Sequence, residues 1–152
     1  MSQFSFLQTE FADIHNHAAK AEKLALSDPR GACFYARLAL EVAVKWMYGH
    51  DRQLRSPYET TLSALIHEPT FRNLAGDAIV TKARLIKDLG NKAVHETTAV
   101  PSARAVTALR ELFHISYWLV RTYARGEKPP PGIQFDGNKL EKTLTITAST
   151  VK

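Results

Sequence analysis

The sequence predicts an all-α protein, an antiparallel bundle of four to six helices. Three observations predict it. The stretch Gly31 to Tyr48, GACFYARLALEVAVKWMY, carries only Arg37, Glu41 and Lys45 as charged residues, each four apart. On a helix they form one narrow polar stripe on an otherwise apolar cylinder, which is the pattern of a central, buried helix. Apolar residues elsewhere recur at steps of three and four, notably from Phe4 to Ala25 and from Val106 to Tyr123. The connection Ser27-Asp28-Pro29 is short, so the first two helices pack as antiparallel neighbours.

Taken in order, Ser2 to Leu26 is predicted as the first helix, with Phe4, Leu7, Phe11, Ile14, Ala18, Ala21 and Ala25 on one face. His15 and His17 point about 200° apart on a helix and cannot share a metal. Asp28 is an N-cap and Pro29 suits the first helical position, where its missing N–H would be unpaired anyway. The central helix is expected to run out over Gly49-His50-Asp51, with Gly49 as its stop. After the loop Arg52 to Pro57, Thr60 or Thr61 begins a short helix that Pro69 interrupts, and Thr70 to Ala75 forms a further helical turn or a loop. Asp77 to Leu89 is the next helix; Gly90 is a pause or kink, and Asn91 to Glu96 adds one or two turns. Ser102 is expected to cap the last long helix, Ala103 to Arg125, whose far side is basic through Arg104, Arg110, Arg121 and Arg125. Residues 1–126 then form the helical domain, and 127–152 a linker and tail. Lys128-Pro-Pro-Pro-Gly132 is stiff and cannot continue a helix, and LEKTLTITASTVK alternates like an isolated strand. Because a lone strand is not self-supporting, this extended tail is either poorly ordered or docked on the domain or a partner.

At 152 residues, 45% hydrophobic and 23% charged, the chain suits a single globular domain. No apolar run approaches the ~20 residues of a transmembrane helix, and MSQFSFLQTEFADIH is not a signal peptide, so no membrane partner is expected. One cysteine, Cys33, inside the central helix, excludes an intramolecular disulfide and makes the cytoplasm the default location. The net charge of +5, from 20 Lys+Arg against 15 Asp+Glu, is compatible with a nucleic-acid partner, although the chain has no basic tract and no aromatic–basic RNA-binding signature.

The chemistry-bearing candidate is Gly90-Asn-Lys-Ala-Val-His95. Asn91 and His95 share a helix face if the helix continues, and an imidazole can act as general acid or base. The alternative is a core histidine and a capping asparagine that hold two helices together. Arg37, Glu41 and Lys45 are either a solvated face or a structural polar network paired with neighbouring helices. No metal-ligand spacing, P-loop or GxGxxG is present, so neither metal nor cofactor is expected for this domain.

The segments ARLALEVAVKWMY, LSALIHEPTF, KARLIKDLGNKAVHE and ALRELFHISYWLVRTYA together resemble the helical N-terminal domain of type I restriction enzyme R subunits of the EcoEI kind, a family similar to the HEPN superfamily. The resemblance spans Phe4 to Ala124. It implies a HEPN-like bundle that serves as an accessory domain of a larger motor and endonuclease. ATP and Mg would belong to that parent, and the partners would be DNA, the modification and specificity subunits, or a second copy in a homodimer. For DNA backbone contact the residues implied are Lys82, Arg84, Lys87, Lys92, Arg104, Arg110, Arg121 and Arg125. HEPN ribonucleases, which act without metal, carry an arginine four to six residues before a histidine. His95 matches the histidine and Asn91 the polar residue after the arginine, but the arginine position falls on Gly90. The resemblance thus implies a non-catalytic scaffold, with a ribonuclease or a simple dimerisation module as the alternatives. It also implies that Glu41 and Lys45 meet Asn91 and His95, so that Glu41→Ala would cost about 2 kcal/mol or more.

Overall fold

The computed structural model describes residues 2–140. They form six complete α-helices preceded by one 3-10 turn, Ser5–Leu7, and residues 137–140 are again helical. The helices are α1 (Ala12–Leu24), α2 (Pro29–His50), α3 (Leu62–His67), α4 (Pro69–Ala75), α5 (Asp77–His95) and α6 (Ser102–Tyr123), and there is no strand among the described residues. The fold class is therefore the all-α bundle that the apolar periodicity predicts.

Four long helices make the bundle. Arg30 at the start of α2 bonds to the end of α5, so these two run antiparallel. Glu10, ahead of α1, bonds to the chain just past α6. Asp51 after α2 accepts from the Tyr123 hydroxyl at the end of α6, at 2.6 Å, so α2 and α6 run in parallel across the bundle. The central helix buries Ala32, Cys33, Ala36, Ala39, Leu40, Ala43, Val44 and Met47, packing against α1, α5 and α6. Its small residues allow close approach from three sides. Cys33 is fully buried and burial pushes its thiol up, so it is a packing residue. The short helices α3 and α4 pack against α5, with Leu62, Leu65, Ile66 and Phe71 buried.

Local chemistry sets most boundaries. Asp28 accepts from the Gly31 N–H at 3.1 Å and Pro29 opens α2. Thr61 caps α3 and Glu68 caps α4, which begins at Pro69.

Five expectations are corrected. The first helix begins at Ala12, because Ser2 and Gln3 are held by Glu22 at 2.6 and 3.0 Å. That contact folds the N-terminal segment back, so that Phe4 and Phe6 meet Phe113 edge-on at 5.8 and 5.5 Å. Gly49 does not stop α2, which runs to His50; the His50 ring N–H donates to the Trp46 carbonyl and the two rings stack 4.2 Å apart. Gly90 is no kink, since α5 continues through it to His95. Ser102 is the first helical residue of α6 and makes no capping bond; Pro101 precedes it in an extended conformation. Finally, α6 ends at Tyr123 because Glu10 takes the N–H groups of Arg125 and Gly126, at 2.9 and 3.1 Å.

Those two bonds also hold the Glu10 carboxyl below the usual glutamate range. A depressed folded-state value means that the stabilisation is present above the unfolded value and is lost as pH falls through the folded one. Glu10→Gln should therefore flatten the loss of stability below about pH 4.5, as followed by circular dichroism during acid titration.

Residues 127–140 do not leave the bundle. Gln3 donates to the Asp136 carbonyl at 2.9 Å and accepts from its N–H at 2.7 Å, Phe135 lies 6.0 Å from Phe113, and Leu140 is buried. The alternating stretch beyond Leu140 lies outside the described residues.

Candidate functional site

The candidate residues gather on α5, whose buried stripe is Ile79, Val80, Ala83, Ile86, Gly90 and Ala93. The opposite side faces solvent. Arg84, Asp88, Asn91 and His95 sit at i, i+4, i+7 and i+11, and all four are exposed. Asn91 and His95 thus share one face, as their spacing predicts, and His95 is no core histidine. Among the described residues His95 has no hydrogen-bonding partner or ion pair. Arg84 lies three helical turns away, about 16 Å along the axis, and the nearest cation on this helix is the exposed Lys92, three residues before His95. Val94 beside it is 56% exposed, and Phe34 of α2 is 43% exposed.

The end of α5 is held by a residue that sequence reasoning missed. The Arg30 guanidinium donates to the carbonyls of Ala93, Glu96 and Thr98, the last two at 2.7 and 2.8 Å. These include acceptors that the last turn of α5 leaves unpaired. Its signal was electrostatic. A cation at the second position of α2 faces the positive end of that helix's dipole and is unfavourable unless a neighbouring helix ends there. Glu96, also missed, pairs with Arg104 of α6. That hydrogen bond holds the Glu96 carboxyl below its usual range.

Gly90 faces Arg37. A Cβ built on Gly90 would sit 2.6 Å from the Arg37 Cβ, so the side chain of Arg37 crosses α5 where α5 has none. The polar stripe of α2 is an intrahelical ladder, in which Glu41 faces Arg37 at 3.9 Å and Lys45 at 3.6 Å. Glu41 and Lys45 do not meet Asn91 and His95. The antiparallel register places Arg30 at the His95 end of α5 and Lys45 about 22 Å further along α2. The Glu41 side chain is 24% exposed and its pairs are i,i+4 surface pairs, so Glu41→Ala should cost no more than about 1 kcal/mol in urea unfolding.

The eight basic candidates divide. Lys82 donates to Glu111 at 2.8 Å, Lys87 pairs with Asp88 at 3.1 Å and Arg104 with Glu96. Arg110 stands over Phe135 at 5.9 Å, and Arg121 donates to the Pro129 carbonyl. Arg110 and Arg121 remain exposed despite these contacts, and Arg84, Lys92 and Arg125 are exposed as well. At about 100° per residue, Arg84, Lys87 and Lys92 fall on one side of α5 and Lys82 on the other. At the other end of α5, an open cleft is lined by Asp77, Ala78, Thr81, Lys82, Leu85 and Glu111. There His114 accepts from Lys82 through Nδ1 at 3.1 Å, and burial together with the Lys82 charge lowers its proton affinity. Among the described residues no group of three or more His, Cys, Asp or Glu is placed to hold a metal ion, and no helix is long and apolar enough to cross a membrane.

A family model described as "Domain of unknown function (DUF4145)" matches residues 19–142. The match takes in most of the chain, from α1 through the strap that follows α6, and the chain belongs to that family. No curated protein and no solved structure matches it.

Proposed function

We propose that this DUF4145 chain is a non-catalytic accessory domain that docks another protein through the exposed face of α5. In a parent similar to the R subunit of a type I restriction enzyme, the docked surface would belong to the modification and specificity subunits. The observation that carries the reading is the exposed row Arg84, Asp88, Asn91 and His95. A cation, an anion, an amide and an imidazole in one line can pair with the mixed surface of a partner. The isolation of His95 supports a role in binding, because a general acid or base needs a reacting group or an orienting partner within hydrogen-bond reach. Lys82, Lys87 and Arg104 are each paired with a carboxylate, which leaves a smaller unpaired basic surface than the eight basic candidates suggest.

Titration of the purified chain against a modification–specificity complex tests this reading. We expect a complex that Arg84→Glu with His95→Ala weakens at least tenfold. The absence of a complex, or a double variant that binds like the parent, overturns it. Tight duplex DNA binding that falls steeply with salt would instead favour the backbone-contact role. Cleavage of labelled RNA that His95→Ala abolishes would replace docking by catalysis.

A further inference from the structure

The segment that follows α6 is seated on that helix in a way that composition alone does not require. Lys128, Pro129 and Pro130 each precede a proline, which biases all three away from helical backbone toward polyproline II. The prolines hold their own φ near the same conformation. Gly132, at φ 82°, follows Pro131 in the Pro-Gly order of a type II turn, and the chain then returns to the bundle at Phe135. A polyproline stretch has no internal hydrogen bonds, so its carbonyls need partners or water.

Here they have partners. The Arg121 Nη1 donates to the Pro129 carbonyl at 2.9 Å and the Tyr117 hydroxyl to the Pro130 carbonyl at 3.3 Å. Lys128 Nζ donates back to the Arg121 carbonyl at 2.8 Å, and Pro129 is buried. The Arg121 guanidinium stands 6.0 Å from the centre of the Tyr117 ring, so the aromatic ring and the carbonyl donors form one surface. An aromatic face with flanking donors aimed at successive carbonyls is how proline-rich peptides are recognised in general.

We propose that the Tyr117–Arg121 face of α6 is a polyproline-II peptide site, filled in the isolated chain by its own Lys128–Pro131. Its ligand class is a basic residue followed by consecutive prolines, and a proline-rich segment of a partner protein competes for it. Two of the three polar contacts between residues 128–130 and α6, Tyr117–Pro130 and Lys128–Arg121, are exposed and the third, Arg121–Pro129, is part-buried, which makes local release cheaper than unfolding the bundle.

The test uses the full chain carrying Pro129→Ala, Pro130→Ala and Pro131→Ala. The probe is a synthetic peptide of residues 126–140, alongside the same peptide with its three prolines replaced by alanine. Isothermal titration should show the proline peptide binding this variant at least tenfold more tightly than it binds the intact chain. The alanine peptide should not bind, and adding Tyr117→Phe and Arg121→Gln should remove at least tenfold of the affinity. Equal binding of the two peptides, no binding of either, or indifference to the α6 substitutions overturns the proposal. Amide hydrogen exchange on the intact chain keeps the test decisive if the triple variant does not fold. Excess proline peptide should speed exchange at Gly132 to Leu140 at least tenfold and the alanine peptide should not, whereas unchanged exchange with both overturns the site.

Discussion

Replacing Gly90 with alanine should lower the stability of the bundle by about 2 kcal/mol in chemical denaturation, although alanine is the better helix former by about 1 kcal/mol. The reason is the crossing of α2 and α5. The added methyl would lie 2.6, 2.8 and 3.1 Å from the Cβ, Cδ and Cγ of Arg37. The nearest of these atoms is fixed to the α2 backbone, so no rotation of the Arg37 side chain clears it. The two helices would have to move apart, loosening Ile86 and Ala93 on either side of the contact. Gly49 supplies the internal control. It also lies inside a helix, nothing would meet a Cβ there, and Gly49→Ala should be neutral or stabilising by up to about 0.5 kcal/mol. A Gly90→Ala protein as stable as the parent would mean that the helices do not approach as closely as this.

Arg30→Ala should cost about 2 kcal/mol, since hydrogen bonds to a charged group contribute about 1.5–3 kcal/mol each when well shielded and these are only partly so. Three carbonyls, of Ala93, Glu96 and Thr98, lose their donor together. The last turn of α5 would fray, and His95 and Val94 with it. Arg30→Lys should recover less than half of the loss, because a point ammonium cannot span the three acceptors as a guanidinium does. Amide exchange of residues 93–98 separates this from a general weakening of the fold. We expect faster exchange there at denaturant levels that leave α1 and α2 protected. If exchange were uniform, or stability unchanged, Arg30 would not be the clamp of this helix end.

Periodicity and punctuation made the helices legible, because α2, the caps at Asp28 and Thr61 and the break at Pro69 are local effects that neighbouring residues declare. The misread positions answer to distant partners. Nothing near Thr9 and Glu10 says that Ser2 and Gln3 will be captured by Glu22, yet that capture delays α1 until Ala12. Gly90 reads as a breaker from its own chemistry and becomes a contact only when Arg37 is laid across it. The shared face of Asn91 and His95 was legible from four-residue spacing, and its exposure was not. Exposure depends on which side of α5 the other helices occupy. The polar stripe of α2 was legible as a stripe, but its pairing partners lay within the stripe itself.

The bonds between Gln3 and Asp136 join residues 133 positions apart. A ribosome releases Gln3 long before Asp136 exists, so the aromatic seam of Phe4, Phe6 and Phe113 waits, incompletely covered, until synthesis has passed Asp136. Closure is then the last step of folding, and closing so long a loop carries a chain-entropy cost that the early helices do not bear. The same geometry lets the order of the chain be rearranged. A circular permutant that joins residue 140 to residue 2 through a short linker and opens the chain at the exposed stretch Tyr58–Thr60 would turn this long-range contact into a local one, and it should fold faster than the natural order while keeping the same bundle.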